Sequence, residues 1–81
     1  MKQLLYFSAG WCRPCRTLGP IMEQVGQHIN INKIDVDSSP EMVQRFGVRN
    51  IPTVVLVGDN QQEIRRFTGV KTLNEIINFI N

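Results

Sequence analysis

Cysteine is scarce in this chain of 81 residues: Cys12 and Cys15 are the only two, accompanied by one histidine, His28, and one tryptophan, Trp11. Two cysteines cannot build the disulfide framework of small secreted domains, and with a single distant histidine they do not supply four zinc ligands, so no metal site is expected. Long apolar runs are missing too. None exceeds four residues, as in Val54 to Val57, against the roughly 20 needed to cross a bilayer, so no membrane association is expected. The start of the chain does not read as an export signal, and a cytoplasmic setting is the expectation. Charge of one sign is also lacking. Nine Lys and Arg against seven Asp and Glu leave +2, dispersed along the chain, which excludes the rows of cations that neutralise nucleic-acid phosphates.

What is present is an ordinary globular composition, 42% apolar and 20% charged. A chain of this length closes one core and buries roughly 60% of its unfolded surface, so a single domain over residues 1–81 is expected. The order of elements reads strand, helix, strand, helix, strand, strand, helix. Residues 2–8 carry Leu4, Leu5, Tyr6 and Phe7, apolar on both parities, as in a central strand covered on two faces. Leu18, Met22, Val25 and Ile29 recur at helical spacing, and the helix they predict should bend at Pro20 and continue. Residues 30–37 alternate, with Ile34 and Val36 on one parity, which predicts a half-covered edge strand. Ser38-Ser39-Pro40-Glu41 predicts a short helix with a serine cap, stopped by Gly47. Thr53 to Val57 and residues 61–68 predict a hairpin about Gly58-Asp59-Asn60. Thr72-Leu73-Asn74-Glu75 fits a capping box at the start of a last helix. The result is an α/β fold, a four-stranded mixed sheet of order 2-1-3-4 with helices on both faces.

The chemistry gathers at Trp11-Cys12-Arg13-Pro14-Cys15, where the first strand gives way to the first helix. Unpaired amides and the positive dipole end of that helix favour a thiolate, which makes Cys12 the nucleophile. Arg13 adds charge of the same sense. Pro14 fits the first turn, where its missing N–H costs nothing. Cys15, one turn on, is expected to be more buried and less acidic, the resolving thiol. A thiol-disulfide exchange follows: Cys12 attacks a client disulfide, and Cys15 then displaces the client by closing the Cys12–Cys15 bridge. No cofactor is needed. A reducing partner must restore the dithiol.

The segment Trp11 to Cys15, with Pro20, Lys33, Asp37, Pro40, Ile51-Pro52-Thr53 and Gly69, resembles the thioredoxin family along the whole chain. The resemblance implies a protein-disulfide reductase and electron carrier, with disulfide-containing proteins as clients and a partner such as thioredoxin reductase. It implies a cis-proline at Pro52 beside the nucleophile, a client-docking rim of Trp11, Ile51, Pro52, Gly69 and Val70, and a buried lysine at Lys33. Two departures stand out. Larger members carry a further strand and helix ahead of the first strand here, so the edge at residues 30–37 is expected to be uncovered, with Lys33, Asp35 and the asparagines discouraging edge pairing and keeping the protein monomeric. Tyr6 occupies the position where the family has a buried aspartate that relays the resolving cysteine's proton. A phenol cannot serve as that base near neutral pH, so the proton is expected to leave to water or to a group near Lys33, with the Tyr6 hydroxyl offering a hydrogen bond. Two other readings remain: a glutathione-dependent, glutaredoxin-like reductase, which the length fits and the Trp-Cys-Arg-Pro-Cys motif opposes, and a non-redox binding subunit using the rim around Trp11 and Val70.

Overall fold

The computed structural model describes all 81 residues. Its elements run β1 (Gln3–Ser8), α1 (Arg13–Val25), β2 (Asn30–Asp35), α2 (Pro40–Phe46), β3 (Thr53–Val57), β4 (Glu63–Thr68) and α3 (Leu73–Ile80). The sheet order is β2-β1-β3-β4, as the pattern of elements predicts. β2 lies parallel to β1, with Gln3 opposite Asn30 and Ser8 opposite Asp35, and β3 is antiparallel to both β1 and β4.

The pleat of the two inner strands divides the apolar residues between two cores. Leu4 and Tyr6 of β1 and Val54 and Leu56 of β3 face one way, where they meet Leu18, Met22 and Val25 of α1 and Ile76 and Ile80 of α3. Leu5, Phe7, Val55 and Val57 face the other way and pack with Ile34 and with Phe46 of α2. Hence α1 and α3 cover one face and α2 the other. Leu4, Leu5, Val54, Val55, Leu56 and Val57 are fully buried. Each such side chain contributes about 1.5–3 kcal/mol relative to exposure, so the two inner strands form the rigid base on which the loops at their ends are held.

The ends of the elements follow local chemistry, with some differences from expectation. α1 runs through Pro20 without interruption but stops at Val25. Ile29 therefore lies outside it, in the tight connection that returns to β2, yet still packs against the first core. Ser39 takes the N-cap position of α2 without a hydrogen bond from its side chain, and the expected serine cap is absent. Gly47 ends α2 with φ 61, and the Val48 amide reaches back to the Val43 carbonyl at 3.0 Å; this left-handed turn suits a residue without a Cβ. β4 begins at Glu63 rather than at residue 61, after a turn in which Gln61 has positive φ, and a bulge interrupts its pairing at Leu56/Val57. Thr72 and Glu75 form the predicted capping box at α3, and hydrogen bonds from Thr72 hold the Glu75 carboxyl below the usual carboxylate range.

Candidate active site

β1 ends at Ser8, and Ala9 to Cys12 turn the chain into α1, with the Cys12 amide bonded to the Ala9 carbonyl at 3.2 Å. Cys12 is the N-cap of α1, in extended conformation with φ −87 and ψ 113. Its sulfur accepts the Cys15 amide at 3.3 Å, the position a serine or threonine oxygen fills in an ordinary cap. Arg13 and Pro14 follow as exposed residues of the first turn, and Pro14 removes no needed donor there. The Cα atoms of Cys12 and Cys15 are 5.3 Å apart, and their sulfurs are close enough to form a disulfide. A helix amide directed at Sγ stabilises negative charge on it, so the geometry suits a thiolate at Cys12.

The two cysteines are about equally buried, 4% exposed for Cys12 and 6% for Cys15, so the expectation of a deeper Cys15 does not hold. The reason is that Cys15 opens onto a second space. A cavity of about 360 Å³, which Cys12 does not line, is bounded by Cys15, Tyr6, Ser8, Arg16, Lys33 and Asp35, among others. Lys33 stands exposed at its margin, which corrects the buried role that the resemblance implies: β2 is the edge strand, and nothing beyond it shields this side chain from water.

Tyr6 lies opposite Lys33 in the β1·β2 register and is 3% exposed. Its hydroxyl donates to the backbone carbonyl of Cys15 at 3.1 Å, so it bonds the first turn of α1 rather than a sulfur. Burial pushes the phenol above its ordinary value of 10.0, against a weaker downward pull from Ser8. It is therefore a proton donor, not a base, throughout the neutral range.

The opposite wall comes from the loop before β3. The Ile51-Pro52 peptide bond is cis, and the Ile51 carbonyl oxygen lies 3.8 Å from Cys12 Sγ. Pro52 is buried, and its carbonyl accepts the amide of Gly69, whose φ is +82, at 3.0 Å. That bond joins the ends of β3 and β4 and sets Val70 on the surface, 43% exposed. Trp11 is 68% exposed, and its indole N–H donates to Asp37 Oδ2 at 2.8 Å. Beside Trp11 lies an apolar groove of about 150 Å³ lined by Trp11, Val36, Val43, Val48, Arg49 and Ile51.

Trp11, Cys12, Arg13, Pro14, Cys15, Ile51 and Pro52 thus converge on one end of the sheet, with Gly69 and Val70 beside them. Two contacts of this site escape a reading of residue type and spacing: Asp37 as the partner of Trp11, and the Ile51 carbonyl beside Cys12. A signal for the first exists: the parallel register sets the end of β2 beside Ser8, so an acid two residues beyond Asp35 lies within reach of the turn after β1.

A family model described as Thioredoxin matches residues 1–81. Thioredoxin of Chlamydia trachomatis is 37% identical over 81 residues, covering 96% of this chain and 78% of that protein. Thioredoxin of Rickettsia bellii is 35% identical over 82 residues, covering 96% and 77%. Among solved structures, a mutant thioredoxin from Halobacterium salinarum superposes with a TM-score of 0.89 at 30% identity, covering 98% of this chain and 71% of that one. Mitochondrial thioredoxin 3 from Saccharomyces cerevisiae, in its oxidised form, gives 0.85 at 30% identity, covering 98% and 76%.

Proposed function

The chain belongs to the thioredoxin family and is a thiol-disulfide oxidoreductase acting through Cys12 and Cys15; from that premise we propose how its residues divide the work. The Cys12 thiolate attacks one sulfur of a client disulfide, a Cys12–client bond forms, and the other client sulfur leaves as a thiolate that takes up a proton. Cys15, deprotonated, then attacks Cys12 Sγ. The Cys12–Cys15 bond forms, the second client sulfur leaves, and the client has gained two electrons and two protons. Support for Cys12 as the attacking sulfur comes from one observation above all: it accepts the Cys15 amide at the positive end of α1.

Trp11, Ile51, Pro52, Gly69 and Val70 hold the client, Trp11 and Val70 through exposed apolar surface and Ile51 through its place beside Cys12. Arg13 and Pro14 tune and shape the first turn. Tyr6 positions Cys15 through its carbonyl, and Lys33, exposed at the cavity margin, faces the water that receives the Cys15 proton. The protein works as a monomer, since its edge strand β2 presents Asn30, Asn32, Lys33 and Asp35 to solvent in place of an apolar pairing surface. A reducing cytoplasm is its setting, where the dithiol is kept ready.

The oxidised protein is regenerated by a thioredoxin reductase drawing on NADPH. Turnover of a protein disulfide substrate with that reductase, compared with glutathione as sole reductant, tests this. Turnover is expected with the reductase alone. Turnover with glutathione alone would overturn the assignment in favour of a glutaredoxin-like cycle.

A further inference from the structure

A redox centre must choose among disulfides, and the charge laid around Cys12 is uneven. Arg13 is exposed next to Cys12, Arg49 is exposed where it lines the apolar groove with Trp11 and Ile51, and Arg16 is held over the active-site turn by a 3.3 Å bond to the Gly10 carbonyl. The acids near these residues are Asp37, whose carboxylate is engaged by the Trp11 indole, and Asp35, which lines the cavity behind Cys15 with Arg16 and Lys33. With Lys33 included, four cations and two anions leave a surplus of two, which equals the formal charge of the whole chain; the other five basic and five acidic side chains cancel in number. Away from this end, Arg66 pairs with Glu63 and Lys71 lies near Glu75. A surplus of positive charge therefore stands at the end that bears the nucleophile.

Building on the oxidoreductase reading, we infer that the preferred client is a polypeptide disulfide with aspartate or glutamate next to its half-cystine and an apolar side chain for the groove. The exchange itself is the one written above, with the same bonds made and broken. The arginines act on the encounter and on the mixed disulfide, by drawing an acidic segment to Cys12 and repelling a basic one. Exposed charges of this kind change association rates more than they change final affinity, and they are screened by salt.

The test uses the reduced full-length protein and three disulfides: a peptide with glutamates flanking an internal disulfide, the same peptide with lysines, and neutral hydroxyethyl disulfide. Each rate constant is normalised to that of dithiothreitol with the same compound, which removes the intrinsic reactivity of the substrate. At about 10 mM salt the glutamate peptide is expected to react roughly tenfold faster than the lysine peptide, and at about 1 M salt most of that ratio should vanish. In an Arg13→Glu, Arg49→Glu double variant the ratio should invert; because it is taken within one variant, changes in Cys12 reactivity cancel. A ratio near one in the wild type at low salt, a preference for lysine, or a ratio that the double variant leaves in place would each overturn the inference. Hydroxyethyl disulfide reduced without any peptide preference would leave the redox reading standing and remove only the charge selection; its failure to be reduced would remove both.

Discussion

The first turns of α1 and α3 face the same problem, amides with no partner inside the helix, and meet it with different atoms. At α3 the Thr72 hydroxyl accepts the Glu75 amide at 3.2 Å, and the Glu75 carboxylate accepts the Thr72 amide at 2.9 Å. Oxygen and negative charge neutralise the helix end. At α1 the capping atom is sulfur, at 3.3 Å, and the first turn contains no acid. The positive end of α1 is thus left for the sulfur itself. One helix start serves stability; the other holds its electrostatic pull in reserve for a reaction.

Breaking this contrast at the sulfur should give the largest effect. Cys12→Ser replaces a nucleophile with a good N-cap oxygen, so disulfide reduction should fall by about 10³ or more while thermal stability stays close to that of the reduced wild type. Activity and melting measurements on the same sample check both halves. A large drop in stability would show that the cap oxygen does not replace the sulfur. At the other helix the outcome should be reversed: Thr72→Ala should cost about 1 kcal/mol of stability and leave the exchange rate unchanged, as read by urea unfolding beside a turnover assay.

The smallest effect concerns how α1 is fastened to the sheet. Tyr6→Phe removes the hydroxyl bond to the Cys15 carbonyl and should cost about 0.5–1 kcal/mol near neutral pH. The folded protein binds the phenolic proton more tightly than the unfolded chain. Stability from this group is therefore fully present below the unfolded value of 10.0 and is lost as pH rises through the raised folded one. Unfolding curves of the oxidised form between pH 8 and 11, pH values chosen to bracket roughly that range, should show wild type losing its advantage over the phenylalanine variant at the alkaline end. A constant difference across the range would deny the hydroxyl this part.

The fold was largely legible because its signals are local and agree with one another. Apolar residues on both parities of residues 4–7 and 54–57 define inner strands, the Thr72-x-x-Glu75 spacing defines the start of α3, and Gly47 marks the end of α2 at the position where φ is in fact positive. The reactive pair was legible for the same reason, since Cys12, Pro14 and Cys15 lie within one turn. What did not carry through depends on neighbours far away in the chain. Ile29 continues the helical spacing and is still packed, so spacing alone could not show that the helix ends four residues earlier. Lys33 is exposed because of which strand forms the edge, and Cys15 is no deeper than Cys12 because a cavity opens behind it. Ser39 stands at a helix start yet makes no cap bond, which residue type cannot reveal.

The indole beside Cys12 is the only one in the molecule. Every photon emitted by tryptophan therefore originates at the reactive end, from a ring whose N–H is tethered to Asp37 and whose chain neighbour opens and closes a bridge with Cys15. Tryptophan emission therefore carries no background from a second indole and reports on the surroundings of the Cys12–Cys15 pair alone.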